Sequence, residues 1–349
     1  MENQGMKEMT PKQRLMNTIY RKTTDRPACI CPGGMMNMIT TQLLTQGDFS
    51  FCRAHSDGRI MADLAEYAYK EGCFENVGVP FCMTVEAEQL GAQVDLGDDT
   101  REPRVTGYAM KELSEWRDLP EFDLSGGRPR AVLDAIGLLA QRQKEVPVVG
   151  NLTGPISTAS SVLDPALFFS GMRKKPEEVH GMLSFITGEL VKFGRAMIEA
   201  GADVIMIADP SGTGEIMGPR FFKEYTVKYL NMLIDGIRKE GIPVIVHICG
   251  QMKPVLKETA EIKSDVLSFD AIVPLQDIKE QLCGRVLMGN VSTYAIEEAT
   301  PEKVKQLSSR CAGQGFSVVS PACGLGMGSP LSNVKAVLSG VQEAVCRKS

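Results

Sequence analysis

The side chains with the most distinctive chemistry are His247 and Cys249, at the end of the apolar run 244–248. Alternate residues of an extended chain point the same way, so this imidazole and this thiolate can bind one metal ion. Gly250 then lets the chain turn away, and Cys323 follows a second apolar run. One histidine and two cysteines form a known catalytic zinc set that leaves a fourth position open. A buried His–Cys pair without metal is the alternative that spacing alone leaves open.

Several other polar or aromatic residues also follow apolar runs. Asp270 ends the run 266–269, where its carboxylate is a candidate catalytic group, either as a displaceable fourth metal ligand or as a partner that orients one. The candidates for binding a cofactor or substrate are Phe81, Asn151, Asp209 and Asn290. For the two aspartates, capping of a helix N-terminus is the alternative role.

The elements that must position these residues are short apolar runs that alternate with helix-length amphipathic stretches, a pattern typical of parallel strands in βα units. The eight predicted strands are 28–31, 76–79, 146–152, 204–208, 244–248, 266–269, 286–288 and 316–319. We therefore predict an α/β fold, a (β/α)₈ TIM barrel, in which functional side chains cluster at the carboxyl ends of the strands. An open doubly wound sheet is the alternative.

Outside this repeat, residues 55–69 are predicted to form a helix, and the polar stretch 95–129 an elaborated loop or hairpin over the barrel mouth. Helices are predicted to begin near Pro176, Pro219 and Pro301, since proline is favoured in the first helical turn. We expect one domain over residues 1–349, with a helical N-terminal extension within about residues 1–75.

Composition narrows the function classes. The 38 Lys and Arg against 43 Asp and Glu give a net charge of −5, so no basic field indicates nucleic acid or an anionic membrane. No apolar stretch is long enough to span a membrane, and the polar start is unlike a signal peptide. We expect a cytoplasmic protein whose ten cysteines are reduced and mostly act as small buried hydrophobes.

Several stretches, taken in order, identify a family resemblance over about residues 10–345. They are 54–57, 79–88, 90–91, 154–159, 208–210, 247–250, 289–291 and 323–324. The sequence resembles the uroporphyrinogen decarboxylase superfamily, and within it the cobamide-dependent methyltransferases. The decarboxylase branch is disfavoured, because it grips porphyrin carboxylates with an arginine-rich motif, whereas residues 31–38 here are uncharged.

The resemblance implies a barrel with zinc held by His247, Cys249 and Cys323, and an acidic residue near the metal at Asp270. It further implies an enzyme of the EC 2.1.1 type that moves a methyl group between a corrinoid (cobalamin) on a partner corrinoid-binding protein and a zinc-activated thiol such as coenzyme M. The alternative direction takes methyl from a methoxy-aromatic or methylamine substrate to the corrinoid protein. A decarboxylase and a non-catalytic barrel subunit are further alternatives.

Overall fold

Eight parallel strands form the central sheet of the computed structural model, which describes residues 8–238 and 241–346. The strands, in chain order, are β1 (Ala28–Cys29), β2 (Val77–Val79), β5 (Val148–Thr153), β6 (Val204–Ala208), β7 (Val244–Ile248), β8 (Val266–Phe269), β9 (Val286–Val291) and β10 (Val318–Pro321). Their order in the sheet is β1-β10-β9-β8-β7-β6-β5-β2. The eight strands and the surrounding helices confirm the predicted (β/α)₈ barrel.

Side chains supply part of the seam between β1 and β2. The Cys29 carbonyl accepts a hydrogen bond from the Glu75 amide at 2.9 Å. The Asn76 side chain both accepts from the Cys31 amide and donates to the Cys31 carbonyl, each at 2.9 Å. An amide side chain presents the same donor and acceptor as a peptide group, so it satisfies backbone groups where the strands are too short to do so.

Most helices lie between successive strands, while α1 precedes the first strand and α16 follows the last. They are α1 (Pro11–Ile19), α2 (Thr41–Gly47), α3 (Phe51–Ala54), α4 (Gly58–Lys70), α5 (Val85–Gln89), α6 (Gly127–Arg142), α7 (Pro155–Val162), α8 (Pro165–Lys174), α9 (Pro176–Ala200), α10 (Gly214–Phe221), α11 (Lys228–Arg238), α12 (Leu256–Thr259), α13 (Leu275–Gln281), α14 (Thr293–Glu298), α15 (Pro301–Gln314) and α16 (Leu331–Cys346). No helix among the residues that the structure describes is long and apolar enough to cross a bilayer.

Some predicted boundaries are wrong for local reasons. The expected helix 55–69 begins at Gly58 instead of residue 55, because Asp57 accepts hydrogen bonds from the amides of Arg59 and Ile60 and so caps the start of α4. The first strand ends at Cys29 instead of residue 31. The segment that begins with α10 contains a left-handed Gly218 and a wider helical turn over Phe222–Val227 before α11.

The predicted hairpin within 95–129 is present as β3 (Gln93–Asp95) and β4 (Arg104–Gly107), which pair antiparallel. Its connecting loop packs against the segments that follow β1. Asp99 accepts hydrogen bonds from the Thr41 hydroxyl and the Phe51 amide, both at 2.7 Å, and Glu102 accepts one from Asn37 at 2.9 Å. The loop is therefore fixed beside the carboxyl ends of the strands.

Candidate metal centre

The structure brings His247, Cys249 and Cys323 together at the carboxyl ends of β7 and β10. The His247 Nε2 lies 2.8 Å from the Cys249 Sγ, and the two sulfur atoms are 3.0 Å apart. One ligand atom from each residue falls within 4.8 Å of the others. The three residues converge because β7 and β10 are parallel strands of one curled sheet, so the residues that follow them lie at the same mouth of the barrel.

The second ring nitrogen of His247 also has a fixed partner. His247 is completely buried, and its Nδ1 lies 2.9 Å from the hydroxyl of Ser268 on the neighbouring strand β8. A hydrogen bond to one ring nitrogen fixes the orientation of the other, which here is turned toward the sulfur atoms. Ser268 was missed in the sequence, although it lies two residues before Asp270 and so points to the same side of β8.

The pKa values of the two thiols are shifted in opposite directions. The pKa of Cys323 is lowered because its sulfur accepts hydrogen bonds from the Cys249 thiol and from His247, which outweighs the effect of burial. The pKa of Cys249 is raised by its bond to Cys323 and by burial. Negative charge is therefore favoured on Cys323 over Cys249, and a bound cation would displace the thiol protons.

These donors fit a zinc ion. The ligand atoms of one tetrahedral zinc ion lie about 3.5 Å apart, so the observed group needs only a small expansion. Both sulfur atoms belong to partly exposed residues, while the histidine is fully buried, so the three ligands leave one side open to the mouth. This half-open geometry is typical of a catalytic metal site, since structural zinc sites have four protein ligands.

Asp270 lies beside this group and not within it. Its Oδ2 accepts a hydrogen bond from the Gly250 amide at 3.2 Å, and its Oδ1 accepts one from the Ile272 amide at the same distance. Asn290 donates to the Asp270 carbonyl at 3.1 Å. In this arrangement Asp270 holds the turn after Cys249, and Asn290 holds the turn after β8.

The remaining candidates bind other parts of the chain. Asn151 donates to the carbonyls of Pro32 and Val79 at 2.9 and 3.1 Å, and so ties together the segments after β1 and β2. Asp209 accepts hydrogen bonds from the amides of Ile156 and Ser157, at the N-terminus of α7. Complete burial nevertheless raises the pKa of Asp209 to about 6.

Phe81 is an aromatic neighbour of a buried histidine. Its side chain is almost fully buried, and its ring centroid lies 6.2 Å from that of Phe51 and 6.4 Å from that of His55. No described atom forms a hydrogen bond with either ring nitrogen of His55. The sequence alone does not single out His55, because a single histidine near a helix carries no local signal of function.

Comparison with known proteins places the chain in a family. The family model described as "Uroporphyrinogen decarboxylase (URO-D)" matches residues 10–344. A methylcobamide:CoM methyltransferase, MtbA of Methanosarcina acetivorans, is 29% identical over 335 residues, which cover 95% of this chain and 98% of the relative. A methylated-thiol–coenzyme M methyltransferase of Methanosarcina mazei is 28% identical, with 96% and 90% covered.

A solved structure agrees with these relatives. The structure described as a methyltransferase from Methanosarcina mazei superimposes with a TM-score of 0.89 at 28% identity, over 96% of this chain and 99% of that one. Uroporphyrinogen decarboxylases match less of the chain, for example 61% in the relative from Hydrogenovibrio crunogenus. The full-length similarity is therefore to methyltransferases.

Proposed function

The chain belongs to the uroporphyrinogen decarboxylase (URO-D) family, and we propose that within it the protein is a zinc-dependent methyltransferase that works with a corrinoid carrier protein. The methyl acceptor in this proposal is a small thiol, such as the coenzyme M named in its relatives. The observation that carries the proposal is the convergence of His247, Cys249 and Cys323 at the barrel mouth.

In the proposed reaction, a methyl group passes from cobalt to sulfur. The thiol loses its proton, its sulfur forms a bond to the methyl carbon, and the carbon–cobalt bond breaks with both electrons left on cobalt. Zinc, when bound, supplies a Lewis acid that keeps the substrate sulfur as a thiolate near neutral pH. The protein's part is to hold the three ligands, to orient His247 through Ser268, and to leave one side of the centre open.

A direct experiment measures metal content and methyl transfer together. We expect about one zinc per chain, and thiol-dependent demethylation of methylcobalamin followed by the change in its visible absorbance. Removal of the metal with a chelator should abolish the reaction, and added zinc should restore it. A metal-free protein with full activity would overturn the proposal.

Substitution of Ser268 tests how the histidine is oriented. Ser268→Ala removes the partner of the His247 Nδ1, so we expect zinc affinity to fall by about 10- to 100-fold. A competition titration with a chromogenic chelator measures this change. Ser308→Ala is the matched control, because Ser308 is equally buried but bonds to Val337 in the helical layer, and its zinc affinity should equal that of wild type.

A further inference from the structure

The loops that directly follow the barrel strands contain no positively charged side chain. The segments that lead from the barrel strands to the next helical turn contain neither lysine nor arginine: 30–40, 80–84, 154, 209, 249–252, 270–274, 292 and 322–330. The first basic residue after β7 is Lys253, which forms an ion pair with Asp277 at 2.9 Å. A ligand with an anionic end therefore meets no cationic side chain from these segments.

Glu102 instead brings a carboxylate near the segment that follows Cys323. Its Oε1 accepts the hydrogen bond from Asn37, and the Asn37 carbonyl accepts one from the Leu325 amide at 3.0 Å, two residues beyond Cys323. No described residue donates to the Oε2 of Glu102, so this oxygen is available to a ligand. Although much of the Glu102 residue is exposed, its head group is held inward by this contact.

The carboxyl group of Glu102 is influenced by nearby charged and polar groups. Its pKa is raised, chiefly because the carboxyl group is partly removed from water and also because the Cys323 sulfur is near. The Asn37 hydrogen bond and the nearby His55 imidazole act in the opposite direction. The Cys323 sulfur, a ligand of the proposed metal, and the His55 imidazole thus both affect this carboxyl group.

His55 adds a polar group but no positive charge. Burial and the nearby Arg128 lower its pKa to about 3, so the imidazole is neutral at pH 7. Arg128 itself already donates hydrogen bonds to the His55 carbonyl, to Thr84 and Glu88, and to the Cys82 sulfur. An unpartnered buried imidazole is costly, and a polar group that reached it would offset this cost.

We propose that Glu102, supported by His55, determines which thiol the enzyme accepts, and that it selects a small thiol whose far end is a hydroxyl or ammonium group. The inference rests on the proposed function and narrows its substrate class. A hydroxyl or ammonium group donates a hydrogen bond to the free carboxylate oxygen. A sulfonate, phosphate or carboxylate end places like charges together, which is unfavourable. The two arginines beside Glu102, Arg101 and Arg104, already pair with Asp98 and Asp95.

The test uses the zinc-loaded protein and three thiols of similar length: 2-mercaptoethanol, 2-aminoethanethiol and coenzyme M, which ends in a sulfonate. We expect wild type to favour the first two over coenzyme M by about tenfold or more in kcat/KM, the equivalent of one well-made polar contact. Glu102→Lys should shift the ratio of the kcat/KM values toward coenzyme M by at least about tenfold. The ratio for Glu102→Gln should lie between those of wild type and Glu102→Lys. Comparing ratios between variant and wild type cancels the intrinsic reactivity of each thiol.

Calorimetric titration of the same thiols provides a readout independent of turnover, and the dissociation constants should follow the same order. Glu112→Gln is the matched control, because Glu112 is an exposed glutamate that bonds only to Ser114, and its ratios should equal those of wild type. A wild-type preference for coenzyme M, or unchanged ratios in Glu102→Lys, would overturn the inference. If no thiol is methylated, the proposed function fails, while the binding ratios still decide the role of Glu102.

Discussion

Replacement of Cys323 with alanine should remove the bound zinc and reduce methyl transfer by more than about 1,000-fold. Cys323 supplies one of three protein ligands, and its sulfur lies 3.0 Å from that of Cys249. His247 and Cys249 alone form an incomplete site for zinc, which takes at least three protein ligands in catalytic centres. A Lewis acid contributes several kcal/mol to stabilisation of the transition state, and about 4 kcal/mol corresponds to 1,000-fold in rate.

Metal analysis and the methylcobalamin assay measure the two effects on the same samples. Cys283→Ala is the matched control, because Cys283 is an exposed free cysteine that precedes β9, at the opposite end of the barrel. It should retain about one zinc per chain and full activity. Circular dichroism of both variants checks that each is folded. Zinc content and activity at the wild-type level in Cys323→Ala would show that the three residues are not the metal centre.

The positions of the metal-ligand candidates were predictable because each depends on a local pattern. His247 and Cys249 are two apart at the end of an apolar run, and Cys323 follows another, so the strand pattern and the barrel rule suffice to bring them to one face. Their chemistry also stands out, since soft sulfur and imidazole donors favour zinc. The three residues meet because each lies at the carboxyl end of a strand, although Cys323 is far from the other two in the sequence.

Other functional candidates depend on contacts that no local pattern contains. Glu102 belongs to the loop of an irregular hairpin, and it reaches the mouth only because Asn37, from the segment after β1, bonds to it. His55 is buried by Phe51 and Phe81, the second of which follows β2. A sequence pattern reports the face of one element, whereas these placements are decided by where loops from different elements meet.

The length of strand β1 is another feature that the sequence pattern does not predict. The apolar run 28–31 predicts four residues of strand, but only Ala28 and Cys29 pair with β10. The Ile30 amide still bonds to the Val319 carbonyl of β10, and the peptide groups of Cys31 are satisfied by the Asn76 side chain. The predicted strand 76–79 includes Asn76, but no sequence pattern shows which backbone groups its side chain will satisfy.

Replacement of Arg14 with methionine should lower the free energy of unfolding by about 3–5 kcal/mol, because it removes the arginine partner of Asp25 and one of the two arginine partners of Glu75, which keeps Arg26. Arg14 is only 1% exposed and forms hydrogen bonds with Asp25 at 2.8 and 2.7 Å and with Glu75 at 2.6 Å. Glu75 also accepts from the Cys29 amide, so the guanidinium joins α1 to the seam of the barrel. Methionine fills a similar volume and is a good helix former, so the lost charge dominates the effect.

Denaturation by urea at several pH values separates this ion pair from general packing. Burial raises the pKa of Asp25, but hydrogen bonds from Arg14 and the Met9 amide outweigh it and lower the pKa to about 2. Because the folded pKa lies below the unfolded value of about 3.9, this stabilisation is present above pH 4 and is lost as the pH falls toward 2. The difference between wild type and Arg14→Met should therefore narrow over that interval.

Arg130→Met provides the control for this comparison. Arg130 forms an exposed ion pair with Asp134 one helical turn away, and such pairs contribute only about 0.3–0.5 kcal/mol. Arg14→Met should keep the zinc content of wild type at pH 7 and 25 °C, since Arg14 lies at the opposite end of the barrel from His247. A loss of stability no greater than that of Arg130→Met would show that the buried ion pair does not hold α1 on the barrel.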